Sequence, residues 1–443
     1  MTSSVAHAPR NSSLNAVIAE AHARFTAQNP KSLARHQDAA AFLPGGNTRA
    51  VLWYRPFPLT LIGGEGCRVE DLDGHHYVDL VAEYSAGLYG HSDATIAAAM
   101  IEVIQGGIGL GAPNRFEATY AEAIVDRFPA IERVRFCNSG TEANIMALSA
   151  ARAVTGREKI VVFREGYHGG VLTFTHGGSI LNLPFPFLFA DYNDVEGTRA
   201  LLRANADTIA AVILEPMLGG GGCIPASFEF LSALRETTRE IGALLVFDEV
   251  MTSRLAYRGL HGEHGINPDL VTLGKYLGGG ASFGCFGGRT DIMDRFDPSR
   301  PKAFSHGGTF NNNIISMAGG LAGFTKVLSQ EASARVNTQG DRLREALNQS
   351  FASRGVAGTV LGRGSLMAIH FVSGPVHTPG PLDAADHKLL ELYHVEMMLR
   401  GQHVTPRGML ALSLPFGEKE AAGFVAAFDD FLDTNLPLLP RAA

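Results

Sequence analysis

The sequence predicts an α/β fold in which helices cover a mostly parallel β-sheet. Between about residues 93 and 330, stretches with helical periodicity alternate with short apolar runs, which is typical of parallel strands buried between helices. The chain has 443 residues, of which 46% are hydrophobic, so it can bury a core of the size that such a sheet needs. The helical stretches span residues 93–105, 115–128, 139–154 and 226–240, and the apolar runs are RVRFCN, KIVVFR, AAVILEP, ALLVFDEV, DLVTLGK and GCFGG.

The segment before the sheet predicts an amphipathic helix and a β-hairpin. Apolar residues recur at helical spacing after a loose N-terminal tail, at Leu14, Val17, Ile18, Ala21 and Phe25. The run FLPGGNTRAVLWYRPFPLT follows, and its glycines and prolines argue against regular structure. Farther along, Asp73-Gly74 separates two alternating runs, which is the signal of a hairpin turn.

Beyond residue 330 the elements follow one another in a looser order. We expect a long helix near residues 330–352, strands around GSLMAIHF and MLALSLP, and a last helix at 417–434. The chain therefore divides into three parts: a helix, loop and hairpin at residues 1–92, a large domain at 93–330, and a smaller α+β domain at 331–443.

Composition and charge exclude several classes of function. The formal net charge is −7, and no Lys/Arg run forms a patch for nucleic acid or a membrane surface. No stretch reaches the roughly 18 apolar residues of a membrane span, and the N-terminus lacks the pattern of a signal peptide, so a cytoplasmic location is expected. The cysteines lie far apart without zinc-site spacing, so we expect reduced thiols and no metal: Cys67, Cys137, Cys223 and Cys285.

Polar residues follow four of the apolar runs of the predicted sheet. In open α/β sheets ligands collect at the carboxyl ends of the strands, so these residues are the candidates for a binding site. They are Ser139, Gly140 and Thr141 after RVRFC, Tyr167 and His168 after KIVVF, Asp248 after ALLVF, and Lys275 after DLVTLG. His168 either relays protons or serves as a hydrogen-bond partner of a neighbouring group.

Each of these positions has chemical requirements. The run from Ser139 to Thr141 opens a helix, so it forms either a phosphate cradle or an ordinary N-cap. Asp248 ends an apolar strand, where an unpaired carboxylate is costly; Val250 points to the same face and Glu249 points away. Lys275 at a buried strand end must be paired, neutralised or consumed in a covalent bond.

Pyridoxal 5'-phosphate carries groups that satisfy all three requirements. Its ring nitrogen suits Asp248, its aldehyde suits Lys275, and its phosphate suits the helix start. Val250 offers a flat apolar contact to one face of the ring, and Tyr167 can stack on the other face. The order of these residues along successive strand ends therefore favours this cofactor.

The motifs NSGTEAN, EGYHGG, EPM, FDEV, TLGKYLGGG and GGTFNNN carry a family resemblance. From about residue 35 to the C-terminus, the chain resembles the class III aminotransferases of the fold type I pyridoxal phosphate enzymes. The resemblance implies a large domain with a mostly parallel seven-stranded sheet. It also implies a small α+β domain that is built from the N- and C-terminal segments.

The resemblance also implies roles for individual residues. Lys275 is the Schiff-base lysine and Asp248 pairs with the pyridine nitrogen, so these two are the catalytic residues. The cofactor-binding residues are these two with Ser139, Gly140, Thr141, Tyr167, Glu215 of EPM, Val250 and Thr309 of GGTF. Thr309 reaches the phosphate of the neighbouring subunit, which implies an obligatory homodimer.

Three further runs resemble the β-phenylalanine aminotransferases: PGGNTRAVLWYRPFPLT, DEVMTSRLA and TPRGMLALSLP. This branch acts on aromatic β-amino acids, which implies transfer of the amino group to an α-keto acid, 2-oxoglutarate or pyruvate, in a ping-pong cycle. Arg49 and Arg407 are the implied carboxylate binders, a role that suits the planar donor set of arginine. Tyr84 is expected in the substrate pocket. A surface ion pair is the alternative for either arginine.

Three other functions stay open. The run DEVMT also resembles glutamate-1-semialdehyde aminomutases, although Ser253-Arg254-Leu255 follows where those enzymes continue with Gly-Phe-Arg. A transaminase of another ω-amino acid or amine belongs to the same class. A catalytically silent binding module with this fold is the alternative outside enzymes, and the presence of both Lys275 and Asp248 argues against it.

Overall fold

The computed structural model of the protein describes residues 13–383 and 385–442. The loose tail predicted before the first helix falls on residues 1–12, outside the described ranges.

The strands within these ranges are β1 (Leu61–Glu65), β2 (Arg68–Asp71), β3 (His76–Asp79), β4 (Arg133–Cys137), β5 (Lys159–Phe163), β6 (Phe187–Ala190), β7 (Ile209–Leu214), β8 (Met217–Leu218), β9 (Ile224–Pro225), β10 (Leu244–Asp248), β11 (Leu270–Gly274), β12 (Gly284–Gly288), β13 (Thr359–Arg363), β14 (Leu366–His370), β15 (Gln402–His403) and β16 (Met409–Ala411). The helices are α1 (Leu14–Gln28), α2 (Pro30–Ala40), α3 (Ala94–Gly106), α4 (Glu117–Arg127), α5 (Gly140–Thr155), α6 (Val195–Ala204), α7 (Phe228–Ile241), α8 (Gly259–His264), α9 (Thr290–Met293), α10 (Ile314–Ala322), α11 (Gln330–Ser353), α12 (Gly380–Asp383), α13 (His387–Leu399) and α14 (Glu418–Asn435).

A seven-stranded sheet with the order β4-β12-β11-β10-β7-β5-β6 forms the centre of the molecule. All its strands are parallel except β12, which runs antiparallel to both β11 and β4. Strands β7, β10 and β11 are buried along their whole length because helices cover both faces of the sheet, which explains their continuous apolar sequences. The predicted α/β fold is therefore confirmed.

The N- and C-terminal segments share a second sheet, with the order β1-β2-β3-β15. Strands β2 and β3 form the predicted hairpin, and Gly74 in its turn has a φ of 94°, which favours glycine. Strand β15 pairs in parallel with β3, and Arg24 on α1 forms an ion pair with Glu396 on α13. Strands β13, β14 and β16 form a third sheet. The proposed domain limits at residues 92 and 330 stay predictions.

Two other features of the sequence have structural outcomes. The four cysteines are buried and free, as the wide spacing predicts. None of the helices in the described ranges is both long and apolar enough to cross a bilayer.

The start of α5 is wedged against β12, the strand that lies beside β4. A Cβ added at Gly284 would lie 2.1 Å from the carbonyl oxygen of Ser139, the residue before α5. Glycine is therefore required at position 284 by the close approach of two backbones. The position of the helix start, and of the side chains around it, depends on this contact.

We expect Gly284→Ala to lower the free energy of unfolding by about 1–3 kcal/mol, because the added methyl group overpacks this contact. Guanidinium denaturation followed by circular dichroism measures the change. Gly63→Ala in β1 is the matched control, since its Cβ would meet nothing within 4 Å. Equal stability of the two variants would contradict the close contact between Gly284 and Ser139.

Candidate active site

The carboxyl ends of β4, β5, β7, β10 and β11 border one cavity of about 620 Å³. It lies where the strand-end rule predicts a ligand site. Predicted cofactor-site residues that line it together are Ser139, Gly140, Thr141, Tyr167, Glu215, Asp248, Val250 and Lys275.

Asp248 is buried at the end of β10 and is held by several donors. Its Oδ2 accepts hydrogen bonds from Nδ2 of Asn144 at 2.7 Å and Nδ1 of His168 at 2.8 Å, and Oδ1 accepts one from the backbone N–H of Val250 at 3.0 Å. These donors stabilise a charge that burial alone would disfavour. Glu249 turns away, as expected, and accepts hydrogen bonds from backbone N–H groups of α8.

Asn144 on α5 is a site residue that the sequence reasoning missed. Its Nδ2 also donates to the carbonyl oxygen of His168 at 2.9 Å, and its Oδ1 accepts from the hydroxyl of Thr272 at 2.6 Å. Asn144 thus connects Asp248 with the neighbouring strand β11 and with the segment after β5. A polar residue on the apolar face of TEANIMALSAA was the available signal.

The start of α5 shows the N-cap, one of the two alternatives that the sequence left open, while the phosphate cradle stays a prediction. Ser139 is an N-cap, and its hydroxyl accepts a hydrogen bond from the backbone N–H of Glu142 at 3.2 Å. The first backbone N–H groups of a helix have no acceptor within the helix, so those of Gly140 and Thr141 remain suited to a phosphate. A Cβ at Gly140 would lie 2.7 Å from the side chain of Val250, so only glycine fits there.

Lys275 is the first residue after β11 and has a φ of 53°, a strained value for a residue with a side chain. Its Nζ donates a hydrogen bond to the carbonyl oxygen of Tyr84 at 2.7 Å. Burial, followed by the positive charge of Arg49, lowers the pKa of Lys275 to about 8. A lysine with a lowered pKa at a cavity wall suits a covalent bond with an aldehyde.

Glu215 supports the backbone on the side of Tyr167. The carboxyl group accepts hydrogen bonds from the N–H groups of Tyr167 and Gly219, both at 2.9 Å. Burial raises the pKa of Glu215 to about 7. The side chain of Tyr167 is 48% exposed at the cavity, so it is accessible to a ligand.

The predicted substrate residues lie around Glu83, which lines the cavity at its mouth, but none of the three lines the cavity itself. Arg49 forms an ion pair with Glu83, and its guanidinium lies 5.5 Å from the ring centroid of Tyr84. Burial raises the pKa of Tyr84 to about 12, while the positive charges of Arg407 and Arg49 oppose this rise, so both arginines lie near this ring. The ring of Tyr84 borders an adjacent groove, and its hydroxyl donates to the carbonyl oxygen of Val51 at 2.7 Å.

Glu83 is a second residue that the sequence reasoning missed. It lines both the cavity and the adjacent groove. A single glutamate in an irregular segment gave no periodic or motif signal. By contrast Thr309 is exposed and does not line the cavity of its own chain.

The arrangement fits a flat cofactor with a phosphate, a cationic ring nitrogen and an aldehyde. The helix start, Asp248 and Lys275 face the same space, and the close packing of Val250 on Gly140 places an apolar surface beside them. These groups are the ones that pyridoxal phosphate requires of a protein.

Comparisons with known proteins show the family of this chain. The family model described as aminotransferase class-III matches residues 51–394. The chain is 49% identical over 432 residues to the β-phenylalanine transaminase of Variovorax paradoxus, covering 98% of this chain and 99% of that protein. The crystal structure of a β-phenylalanine aminotransferase from Variovorax paradoxus superimposes with a TM-score of 0.96, at 49% identity, over 97% of this chain and 100% of the other.

Two more distant relatives are informative. A glutamate-1-semialdehyde 2,1-aminomutase of Rhodopirellula baltica is 36% identical over 393 residues, covering 85% of this chain and 89% of that protein. A solved transaminase with pyridoxal phosphate bound has a TM-score of 0.86 at 31% identity, over 92% of this chain and 98% of the other. The resemblance read from the motifs is therefore confirmed.

We expect acylation of Lys275 in the cofactor-free protein to rise with pH around a midpoint of about 8, where an ordinary lysine has a pKa of 10.5. The neutral amine is the reactive form, so labelling should be low below this pH and complete above it. Pulse labelling with acetic anhydride and mass spectrometry measures the midpoint. In the Arg49→Ala variant this midpoint should rise, because a positive charge beside Lys275 is removed. A midpoint near 10.5 in the wild-type protein would show that the pKa of Lys275 is not lowered.

Proposed function

Because the chain belongs to the class-III aminotransferase family, we propose that it transfers the amino group of an aromatic β-amino acid, such as β-phenylalanine, to an α-keto acid. The observation that carries this proposal is the position of Arg49 at the mouth of the cavity that contains Lys275. The 49% identity to a β-phenylalanine transaminase supports the same donor. The acceptor would be 2-oxoglutarate or pyruvate, in a ping-pong cycle.

Pyridoxal phosphate is the cofactor of this enzyme, as of its family. When bound, it supplies an electron sink for the carbon that carries the amine. Asp248 would pair with its ring nitrogen, the segment from Ser139 to Thr141 would hold its phosphate, and Lys275 would bind its aldehyde carbon. Val250 and Tyr167 would contact the two faces of the ring, and Glu215 would fix the backbone of Tyr167.

Lys275 and Asp248 perform different tasks in this proposal. With a pKa of about 8, Nζ of Lys275 can both accept and release a proton near neutral pH, so it would move the proton of the reacting carbon. The hydrogen bonds from Asn144, His168 and Val250 hold the Asp248 carboxylate in one place. Asp248 would thereby keep the ring nitrogen protonated through an opposite charge in a buried site.

Arg49 would bind the carboxylate of the donor. In a β-amino acid this carboxylate lies one carbon farther from the reacting centre than in an α-amino acid, so an anchor at the mouth of the cavity suits it. The α-keto acid would use the same place, since both partners of a ping-pong enzyme bind one site. Arg407, which lies near Tyr84 and forms no ion pair with the described residues, would be a second carboxylate binder.

A homodimer would complete the site through Thr309. This residue is exposed beside Phe310, whose side chain is 67% exposed. Within residues 101–110, four more large apolar side chains have more than half of their surface exposed: Ile101, Ile104, Ile108 and Leu110. Exposed apolar surface of this kind is typical of subunit interfaces, and it supports a neighbouring subunit to which Thr309 contributes. The cytoplasmic location stays a prediction.

The alternatives differ in their support. Two observations favour the aminomutase function: the DEVMT run and the 36% identity to a glutamate-1-semialdehyde 2,1-aminomutase. In the structure Arg254 is buried and donates to the carbonyl oxygen of Ser85, so it serves the fold of the site wall. The silent binding module is set aside, because the chain belongs to an enzyme family and keeps Lys275 and Asp248 in one cavity.

We expect Lys275→Ala to fold and to bind pyridoxal phosphate without a covalent bond, and to lose nearly all transfer, because the proton-moving amine is absent. Borohydride reduction of the loaded wild type, followed by peptide mass spectrometry, should label Lys275. Lys419→Ala, at an exposed position, is the matched control and should behave as wild type. Labelling of another lysine would refute the assignment.

We expect Arg49→Ala to weaken the binding of β-phenylalanine and of the α-keto acid by about 1.5–3 kcal/mol each, the value of a hydrogen bond to a charged group. Steady-state kinetics of both half-reactions measure this loss. An arylalkylamine such as 1-phenylethylamine, which has no carboxylate, should be affected far less. Arg203→Ala, whose partner is Glu240, is the control.

Equal loss toward the amine would make Arg49 structural. A higher kcat/KM for glutamate-1-semialdehyde than for β-phenylalanine in the wild type would favour the aminomutase.

A further inference from the structure

We propose that Glu83 is an internal carboxylate that occupies Arg49 in the substrate-free enzyme and is displaced by the carboxylate of the substrate. This inference rests on the proposed function and deepens it, because it assigns a specificity-determining role to a residue that the motifs do not contain. It concerns how the enzyme holds its carboxylate anchor ready before a substrate arrives.

The position of Glu83 is the first observation. Glu83 lines the cavity that also contains Lys275, and its carboxylate pairs with the guanidinium of Arg49. Within the described residues, neither of these two side chains forms another ion pair. The group that the substrate carboxylate would replace is therefore itself a carboxylate.

The backbone of this segment is the second observation. Ala82, Glu83, Tyr84 and Ser85 have φ values of 41°, 49°, 52° and 77°, so four successive residues with side chains adopt the left-handed conformation. Each such residue costs free energy, and the conformation persists only where the surroundings determine it. The left-handed turn 82–85 must therefore be held by specific contacts.

Contacts from three directions hold the left-handed turn 82–85. Buried Asp79 accepts the N–H groups of Val81 and Ala82, at 2.9 and 3.2 Å. Buried Arg254 donates to the carbonyl oxygen of Ser85 at 3.0 Å, and the backbone N–H of Gly87 donates to the carbonyl oxygen of Ala82 at 2.7 Å. The backbone of Glu83 is thus fixed, and its carboxylate is presented to Arg49 by a rigid support.

The contact itself is weak enough to exchange. The side chains of Arg49 and Glu83 are 42% and 60% exposed, and ion pairs of such exposure contribute little. A substrate carboxylate can bind the guanidinium through two parallel hydrogen bonds while its aromatic group leaves water, so it can compete successfully. A substrate without a carboxylate has no reason to displace Glu83.

A second role for Glu83 makes the opposite prediction. If its carboxylate orients Arg49 toward the substrate, removal of the charge weakens substrate binding. If it occupies Arg49, removal of the charge tightens binding. The sign of one measurement therefore separates the two roles.

The experiment compares Glu83→Gln with wild type in the enzyme loaded with pyridoxal phosphate. The probe is 3-phenylpropanoate, which has the carboxylate and the aromatic ring of β-phenylalanine but no amine, and its inhibition constant is measured against 1-phenylethylamine as donor. We expect Glu83→Gln to bind the probe about two- to fivefold more tightly, the range of an exposed ion pair. The KM for β-phenylalanine should fall similarly, while the KM for 1-phenylethylamine, which has no carboxylate, should change far less.

Two controls assign the effect to the contact. Glu240→Gln removes an equally exposed partner of Arg203 far from the site and should change nothing. In an Arg49→Ala background, Glu83→Gln should have no effect on the probe. Unchanged or weaker binding in the Glu83→Gln single variant would overturn the inference, and so would equal tightening in the Arg49→Ala background, which would indicate general charge repulsion.

The same data separate this inference from the proposed function. If Arg49→Ala weakens binding of the probe and Glu83→Gln does not tighten it, only the inference about Glu83 fails. If Arg49→Ala leaves the probe unaffected, the carboxylate anchor of the proposed function fails and the inference fails with it.

Discussion

The buried carboxylate of Asp248 is the constraint on which the rest of the site depends. A charge at the end of an apolar strand is tolerated only with several donors, and these come from α5, from the segment after β5 and from the backbone beyond β10. Each donor must stand at a fixed distance, so the helix start and two strand ends are locked together. The cavity has its shape because this one charge has to be satisfied.

The residues at the carboxyl ends of the strands could be predicted from sequence, because these polar residues directly follow buried apolar runs. A charged residue at the end of an apolar run, such as Asp248 or Lys275, is unfavourable there unless it has a function, so it marks a candidate site. Asn144 escaped notice because a single polar residue on a helix is common. Helix α2 and strand β6 were missed for a related reason: α2 is short and polar, and β6 is a four-residue strand at the sheet edge.

Fewer of the contacts at the mouth of the cavity could be predicted from the sequence. Arg49 was selected through a resemblance, whereas its contact with Glu83 depends on the conformation of the left-handed turn 82–85. No local pattern marks a left-handed run without glycine, because tertiary contacts from Asp79 and Arg254 impose it. The contribution of Thr309 belongs to an assembly, which the sequence of one chain describes only by analogy with relatives.

The left-handed turn 82–85 also bears on how enzymes of this design can diverge. Its hydrogen bonds engage main-chain atoms, so they require a fixed number of residues between Asp79 and Gly87 and impose little on the side chain at position 83. An insertion or deletion there would move the main chain of the turn away from Asp79 and Arg254, whereas an exchange of the side chain would leave these contacts intact. Substrate preference can therefore change through single replacements at this position, while the two buried side chains keep the length of the segment constant.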